Sequence, residues 1–349
     1  MLWASFKRRD RNLVKEAKLA YVFPGQGSQA VGMGLDLYKR YPSAKDVFDE
    51  VDKTLGFSLS RLCFEGPEDE LTQTINVQPA VLTVSIACLK AAEEISGSSL
   101  PFPDVVAGHS LGEYTALVID GVLSLSEAVR LVRERGRLMH EAGRVSPGGM
   151  VAVLGLDEEI ARDICLSAGT EISNINCPGQ IVVSGAEEKL VEFNRLAEEK
   201  GARRVIPLKV SGAFHSQLMQ PAWDGLKSAI SEFTFHEPLV PVMANVTAQM
   251  LLDAKAIKEE LVDQLTHCVR WQRSVENMIA GGVTTFLEIG HGQVLAGLIK
   301  RINPAVQVIN IGDAEIDNQV EKLWAEYRRE RIRGLVEKAM QSEKSPQKE

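Results

Sequence analysis

Cysteine is scarce in this chain, and long hydrophobic runs are missing from it. The five cysteines among 349 residues are scattered, odd in number and without metal-ligand spacing, which argues against a disulfide framework and predicts no metal site. No apolar run approaches the roughly 20 residues needed to span a bilayer, so we expect no membrane insertion. Reduced thiols and the lack of a membrane segment together predict a cytoplasmic protein.

Positive charge is also in deficit. The chain has 39 Lys and Arg against 47 Asp and Glu, a net charge of −8, which argues against nucleic acid as its main partner. Hydrophobic residues make up 45% and charged residues 25%, as in ordinary globular enzymes. The length allows one large α/β domain plus a smaller one. No long heptad pattern demands assembly, so we expect a monomer.

The two ends differ from the middle of the chain. Residues 1–18 carry six basic side chains without an apolar stretch of signal-peptide length, and we predict a basic N-terminal extension. Residues 321–349 contain an arginine-rich stretch followed by a polar segment, and we predict a charged C-terminal helix and tail. Neither end carries a candidate catalytic residue.

Strands that alternate with helices fill the region between the ends. The apolar segment 19–23 is typical of a buried parallel strand, a helix is predicted over 77–92, and a further strand is predicted near 240–244. The alternation predicts a parallel sheet covered on both faces. Between residues 149 and 207 the order becomes strand, helix, strand, strand, helix, strand, which is the ferredoxin-like pattern. We therefore predict an α/β fold. Its large domain spans residues 19–145 and 209–320, and a small domain, residues 146–208, is inserted into it.

The segment Gly108-His109-Ser110-Leu111-Gly112 is a G-x-S-x-G motif in a meaningful context. It lies between a predicted strand at 104–107 and a predicted helix at 111–119. A strand, a sharp turn and a helix form a nucleophile elbow, in which the serine oxygen projects from the sheet. The N–H of Leu111 at the helix start would face a developing oxyanion. Ser110 is therefore a candidate nucleophile.

A nucleophilic serine needs a base, and the chain offers six histidines. His215 is the favoured candidate because it follows the last small-domain strand, in a loop where the two domains should meet. No acidic residue between Ser110 and His215 stands at a strand end, where the third member of a hydrolase triad belongs. The sequence therefore predicts a Ser–His dyad whose histidine is held by something other than a carboxylate.

The glycine-rich loop after the first strand allows a competing interpretation. Residues 25–30 match the relaxed dinucleotide fingerprint G-x-G-x-x-G/A, so a Rossmann oxidoreductase remains open. Pro24 occupies the position of the tight turn, no acidic residue closes a second strand about 20 residues on, and the serine elbow would be unexplained. Alternatively, the loop faces the elbow and supplies a second oxyanion donor or a wall that excludes water.

Taken together, the motifs resemble the malonyl-CoA:acyl carrier protein transacylase family of bacterial fatty acid synthesis, over about residues 19–312. Six motifs in the family's order carry the resemblance: Phe23-Pro24-Gly25-Gln26-Gly27-Ser28-Gln29, Gln78-Pro79-Ala80, Gly108-His109-Ser110-Leu111-Gly112-Glu113-Tyr114, Arg135-Gly136-Arg137-Leu138-Met139, Asn176-Cys177-Pro178-Gly179-Gln180 and Gly212-Ala213-Phe214-His215. The resemblance implies an α/β-hydrolase-like large domain with a ferredoxin-like insertion.

The resemblance also implies roles for the catalytic residues. Ser110 would be the nucleophile and His215 its base, with the main-chain carbonyl of Gln264 steadying the histidine. Gln26 and the N–H of Leu111 would form the oxyanion hole. A malonyl group would then pass from CoA to Ser110 and on to the carrier protein's phosphopantetheine thiol, without a cofactor.

Substrate and partner recognition are implied in the same way. Arg135 would hold the free carboxylate of the malonyl group, and Phe214 resembles the malonyl-selecting form of its motif. We expect Arg203 and Arg204 to line the mouth of the cleft between the domains and to dock the acidic acyl carrier protein. Two alternatives remain: a serine hydrolase on the same scaffold, and a docking module without activity.

Overall fold

The computed structural model describes residues 18–97, 99–313, 315–326 and 329. The predicted extension at 1–18 lies outside the described residues except for Lys18, which begins the first strand and is therefore not part of an extension. The predicted C-terminal segment 321–349 is described only to residue 326 and at 329. Residues 316–326 are helical there, so the helix begins before residue 321.

The described residues form ten strands and thirteen α-helices, besides a short 3-10 helix at Gln217–Met219 and the helical segment 316–326. The strands are β1 (Lys18–Phe23), β2 (Val105–Gly108), β3 (Gly149–Leu154), β4 (Glu171–Cys177), β5 (Gln180–Gly185), β6 (Arg204–Pro207), β7 (Val242–Met243), β8 (Met250–Leu251), β9 (Val283–Ile289) and β10 (Gln307–Ile311). The helices are α1 (Leu35–Arg40), α2 (Pro42–Leu55), α3 (Leu59–Glu65), α4 (Glu68–Leu71), α5 (Thr74–Ser96), α6 (Leu111–Ile119), α7 (Leu125–Val145), α8 (Glu158–Ala168), α9 (Glu187–Glu199), α10 (Gln220–Ser231), α11 (Ala254–Asp263), α12 (Trp271–Ala280) and α13 (Val294–Ile302).

Six strands form the large sheet, in the order β10-β9-β1-β2-β7-β8. The first five are parallel, and β8 pairs antiparallel with β7 at one edge. Alternate residues of β1 enter different cores: Tyr21 and Phe23 pack with α5, α6 and α7, whereas Ala20 and Val22 pack with α12 and α13. Because both faces of the sheet are covered, the central strands β1 and β2 consist almost entirely of apolar residues.

The small sheet is antiparallel and has the order β4-β5-β3-β6. One face of it, including Val151 and Val183, packs against α8 and α9. On the other face, Met150 and Val182 join the hydrophobic core that packs against the large sheet. A parallel bridge between Asn174 and Val269 ties the β4 edge to the segment before α12. A 2.8 Å hydrogen bond between Asn176 Oδ1 and His109 Nε2 also brings the end of β4 next to the carboxyl end of β2.

Helix α5 is the central element of the large core. It is 23 residues long and, by length and composition alone, apolar enough to cross a membrane, yet 89% of its most apolar window is buried within the protein. That burial is typical of the core helix of a globular protein. The sequence pattern predicts a shorter helix here, over residues 77–92, and no apolar run of membrane-spanning length.

Two further boundaries differ from the sequence expectation. The strand predicted at 104–107 runs one residue later, because the Asp104 carboxylate accepts a hydrogen bond from the N–H of Leu19 before the strand begins. The strand predicted near 240–244 is reduced to β7, and the edge strand β8 was not predicted. Both are only two residues long, which leaves too little periodicity to detect.

Candidate active site

Ser110 lies in a sharp turn between β2 and α6, with φ 52° and ψ −104°. Two glycines permit this turn. A Cβ on Gly108 would lie 1.8 Å from the carbonyl carbon of Gly112, and a Cβ on Gly112 would lie 2.0 Å from the carbonyl oxygen of Phe23. No side chain fits at either position, so the glycines of the motif are required by close backbone approach. The predicted nucleophile elbow is present.

Asn245 holds the elbow from the neighbouring strand. Its Oδ1 accepts the Ser110 N–H at 2.7 Å, and its Nδ2 donates to the Gly108 carbonyl at 2.8 Å. The side chain is buried, at 1% exposure. Sequence analysis missed this residue, because an isolated asparagine after a two-residue strand has no distinguishing pattern. Since the Ser110 N–H is occupied, it is not free to stabilise an oxyanion.

Ser110 and His215 form a hydrogen-bonded pair. Ser110 Oγ lies 2.8 Å from His215 Nε2, and His215 Nδ1 lies 2.7 Å from the main-chain carbonyl oxygen of Gln264. Because a carbonyl can only accept, Nδ1 carries the proton and Nε2 is left as the acceptor. Burial, with a smaller contribution from the nearby Arg135 cation, lowers the pKa of His215 to about 3. The imidazole is therefore neutral at pH 7, as a general base must be.

Arg135 enters the same site from α7, with only 1% of it exposed. Its Nη1 donates to Gln78 Oε1 at 2.8 Å, and its Nη2 donates to Gln264 Oε1 at 2.7 Å and to Ser110 Oγ at 3.2 Å. Burial lowers its pKa, but a guanidinium stays charged in proteins. None of the ion pairs among the described residues involves Arg135. A buried cation with neutral acceptors beside a nucleophile is suited to an anionic substrate group.

The side chain of Gln264 links the parts of the site, and sequence analysis did not predict this. The family resemblance had implied only its main-chain carbonyl. Its Nε2 donates to the Ser110 carbonyl at 3.1 Å and to Glu113 Oε2, while its Oε1 accepts from Arg135. Gln264 follows the last residue of α11 and is fully buried. A long-range contact of this kind leaves no local pattern in the sequence.

The loop after β1 lies against the elbow. A Cβ on Gly25 would be 2.4 Å from the carbonyl oxygen of His109, and the His109 N–H donates to Phe23. Gln26 is half-buried in this loop, and Leu111 N–H is the first of α6, where a helix offers no internal acceptor. The next helix, α1, begins only at Leu35, so the glycines do not open a helix as a dinucleotide fingerprint requires. That context counts against the Rossmann alternative.

The remaining predicted residues lie in two places. Phe214 is buried at 5% exposure in the large core, next to His215 in sequence. Arg203 and Arg204 are exposed at the start of β6, the edge strand opposite β4. Their role in docking is untested and remains a prediction.

A groove of about 300 Å³ opens onto His215 between the two units, and its lining includes Gln217, Thr266, Arg162 and Arg270. Arg203 and Arg204 are not among the residues that line this groove, and their position at the cleft mouth stays a prediction.

A serine in a nucleophile elbow, a neutral histidine hydrogen-bonded to it and a buried arginine meet at one site, an arrangement suited to acyl transfer through a serine. The chain belongs to the acyl transferase domain family, whose model matches residues 20–338.

Named relatives narrow the class. Malonyl CoA-acyl carrier protein transacylase of Bacillus subtilis (strain 168) is 48% identical over 304 residues, which cover 86% of this chain and 95% of the relative. An acyl carrier protein S-malonyltransferase from Vibrio cholerae has 41% identity and a TM-score of 0.80, covering 84% of this chain and 96% of its own. A malonyl-transacylase solved in complex with a type II PKS acyl-carrier protein (PlMCAT:AntF) has 39% identity and a TM-score of 0.83, covering 87% and 99%.

Proposed function

We propose that this protein transfers a malonyl group from malonyl-CoA to the phosphopantetheine thiol of an acyl carrier protein and thereby supplies fatty acid synthesis. The observation that carries the proposal is the position of Arg135: a buried guanidinium, without a carboxylate partner among the described residues, lies 3.2 Å from the oxygen of Ser110. The names of the relatives support the same donor and acceptor.

The first half of the reaction follows from the dyad. His215 Nε2 takes the proton of Ser110 Oγ while that oxygen attacks the malonyl thioester carbonyl. The N–H of Leu111 and the side chain of Gln26 would stabilise the oxyanion, each donor contributing about 10²- to 10³-fold in rate. The C–S bond then breaks, and the leaving CoA sulfur receives the proton from His215. The product is malonyl-Ser110.

The second half runs in the opposite sense. His215 takes the proton of the carrier protein's pantetheine thiol, and the sulfur attacks the malonyl ester. The bond to Ser110 Oγ breaks, and the proton returns to that oxygen. No step requires a metal or a cofactor, because the neutral imidazole supplies all the proton transfers.

Arg135 gives the reaction its selectivity in this proposal. A planar guanidinium can meet a carboxylate in two parallel hydrogen bonds, a geometry that lysine cannot copy. Gln78 and Gln264 hold the guanidinium through 2.8 Å and 2.7 Å hydrogen bonds. The malonyl carboxylate would be placed here while its thioester carbonyl reaches Ser110. An acetyl group offers nothing to this cation.

A serine hydrolase is less well supported. The histidine of a hydrolase triad is oriented by a carboxylate, whereas His215 Nδ1 is held by the carbonyl of Gln264. The intact Ser110–His215 pair likewise argues against a docking module without activity. The five free thiols support the cytoplasmic location that the proposal includes. The monomeric state is retained as a prediction.

The proposal also assigns each of the two sheets to a known type of fold. We describe the large unit, residues 19–145 and 209–320, as α/β-hydrolase-like, on the basis of five parallel strands that carry the serine elbow. We describe residues 146–208 as a ferredoxin-like insertion, supported by the sheet order β4-β5-β3-β6 with α8 and α9 on one face.

Mass spectrometry of the intact protein tests the proposal. After mixing with malonyl-CoA, the wild-type chain should gain one malonyl group, and the adduct should disappear when phosphopantetheinylated carrier protein is added. Ser110→Ala should gain none. If the adduct is lost to water at the same rate without carrier protein, the protein is a hydrolase. If the Ser110→Ala variant is still malonylated, the nucleophile is another residue.

A further inference from the structure

Glu113 is a buried acid that the proposed reaction does not use. It lies in the first turn of α6, one turn after Ser110, with 1% of it exposed. Its Oε2 accepts a hydrogen bond from Gln264 Nε2, and its Oε1 has no partner. Burying a carboxyl group with an unpaired oxygen costs stability, so its presence beside the nucleophile calls for a functional explanation.

The amide of Gln264 lies between this acid and Arg135. Its oxygen faces the guanidinium at 2.7 Å, and its NH₂ group faces Glu113 Oε2 and the Ser110 carbonyl at 3.1 Å. An amide has one accepting end and one donating end, and arginine can only donate. If the amide were turned over, its NH₂ group would meet the guanidinium. Acceptors on the Glu113 side therefore keep the amide oxygen pointed at Arg135.

We propose that Glu113 is a positioning residue that acts through the side-chain amide of Gln264 to hold the Arg135 guanidinium in place beside Ser110. Glu113 does not touch the substrate. It sets the orientation of one amide, and that amide holds the cation that receives the substrate carboxylate. The identity of that carboxylate as a malonyl group rests on the proposed function, whereas the Glu113–Gln264–Arg135 chain does not.

The accepting oxygen of Glu113, rather than its charge, is what this role requires. Burial, together with the nearby Glu260 carboxyl, raises the pKa of Glu113 well above its usual value, although Arg135 and the Gln264 hydrogen bond oppose the change. A protonated carboxyl group still offers a carbonyl oxygen to Gln264 Nε2. Glutamine offers the same oxygen in nearly the same shape. Methionine has a similar length and offers none of comparable strength.

Three variants separate positioning from general stability. Glu113→Met removes the acceptor, and Glu113→Gln keeps it. Asp120→Leu is the matched control, because Asp120 is another buried carboxyl with one unpartnered oxygen, at the far end of α6. For each variant, kcat/KM is measured with malonyl-CoA and with acetyl-CoA, alongside the free energy of unfolding in urea.

We expect Glu113→Met to lower kcat/KM for malonyl-CoA by about 10- to 100-fold and for acetyl-CoA by less than about 3-fold, since one misplaced hydrogen-bonding group is worth that much. Glu113→Gln should stay within about 3-fold of wild type. Asp120→Leu should lose stability without changing the malonyl-to-acetyl ratio. In an Arg135→Ala background, Glu113→Met should have almost no further effect on malonyl transfer, because both substitutions interrupt the same series of hydrogen bonds.

Equal losses for the two substrates, or an additive loss in the Arg135→Ala background, would overturn the proposal. A measurement that needs no substrate tests the positioning role of Glu113 separately from the proposed function. Side-chain ¹⁵N NMR of Arg135 should report slow guanidinium rotation in wild type and Glu113→Gln, and faster rotation in Glu113→Met. Unchanged rotation in Glu113→Met would refute the positioning role. Absence of malonyl-Ser110 in the wild type would refute only the proposed function.

Discussion

The two sides of the active site are built in different ways. The nucleophile side is a local steric device, in which the glycines at 108 and 112 let the backbone turn within five residues. The arginine side is assembled from side chains that are far apart in the chain, at positions 78, 113, 135 and 264. The first side therefore tolerates no added atom, whereas the second tolerates any group that preserves its hydrogen bonds.

A substitution on the nucleophile side should have the largest effect on stability and activity. Gly112→Ala places a Cβ 2.0 Å from the Phe23 carbonyl oxygen, and backbone cannot yield as a flexible side chain does. We expect destabilisation of more than about 3 kcal/mol and loss of malonyl transfer. Urea unfolding and acyl-enzyme formation measure both. Gly297→Ala is the control: this helical glycine of α13 has open space around it, and alanine should stabilise it by about 0.5–1 kcal/mol. A stable, active Gly112→Ala enzyme would contradict the steric account.

A substitution on the arginine side should have a smaller effect on activity, and one that depends on which acyl group is transferred. Arg135→Ala should lower kcat/KM for malonyl-CoA by about 30- to 1,000-fold, since two charge-assisted hydrogen bonds are worth roughly 2–4 kcal/mol. Transfer of an acetyl group should fall much less. Arg135→Lys should recover only part of the loss, because an ammonium cannot form the two parallel bonds. Equal losses for malonyl-CoA and acetyl-CoA would mean that Arg135 serves the fold.

Much of the nucleophile side could be predicted from the sequence. The motif placed Ser110 between strand and helix, and α6 has the predicted bounds. The strand and helix order of the small sheet was also correct, because its elements are long and amphipathic. Asn245, Glu113 and the Gln264 side chain were missed, since their roles arise only when distant segments pack together. The short strand β8 was missed for lack of periodicity.

His215 is hydrogen-bonded to Ser110 and to the main chain of Gln264, so it contacts both sides of the site. The pH dependence of the protein's stability should reveal that it is buried. Its pKa is lowered to about 3 in the folded state, against about 6.5 in an unfolded chain. The unfolded state therefore binds the extra proton first as pH falls, so the stabilisation present above about pH 6.5 is lost on acidification toward pH 3. From pH 7.5 to 5 this histidine should account for about 2 kcal/mol of lost stability.

Urea unfolding of wild type and His215→Gln at these two pH values measures that contribution. The variant should lose about 2 kcal/mol less than wild type over the interval. The exposed His140→Gln is the control and should follow wild type. Identical pH dependence in wild type and His215→Gln would show that the folded histidine accepts a proton easily. The base would then not be held neutral by its surroundings.

The smallest effect concerns the partner protein. Reversing Arg203 and Arg204 to Glu should raise KM for carrier protein by about 3- to 10-fold at low salt and leave malonylation of Ser110 unchanged, because exposed charges steer association and are screened by salt. The matched pair is Arg162 and Arg270, the cations of the groove at His215. If only the groove pair raises KM, the carrier enters along the β4 edge and the prediction for β6 is wrong.

The proposed nucleophile and its proposed base both have positive φ, 52° at Ser110 and 56° at His215. Outside glycine such a conformation costs of order 1–3 kcal/mol, so the surrounding structure must impose it. Glycine would relax the backbone at either position but would remove the hydroxyl or the imidazole. A relaxed backbone and the side chain that the proposed reaction needs therefore exclude each other at these two residues.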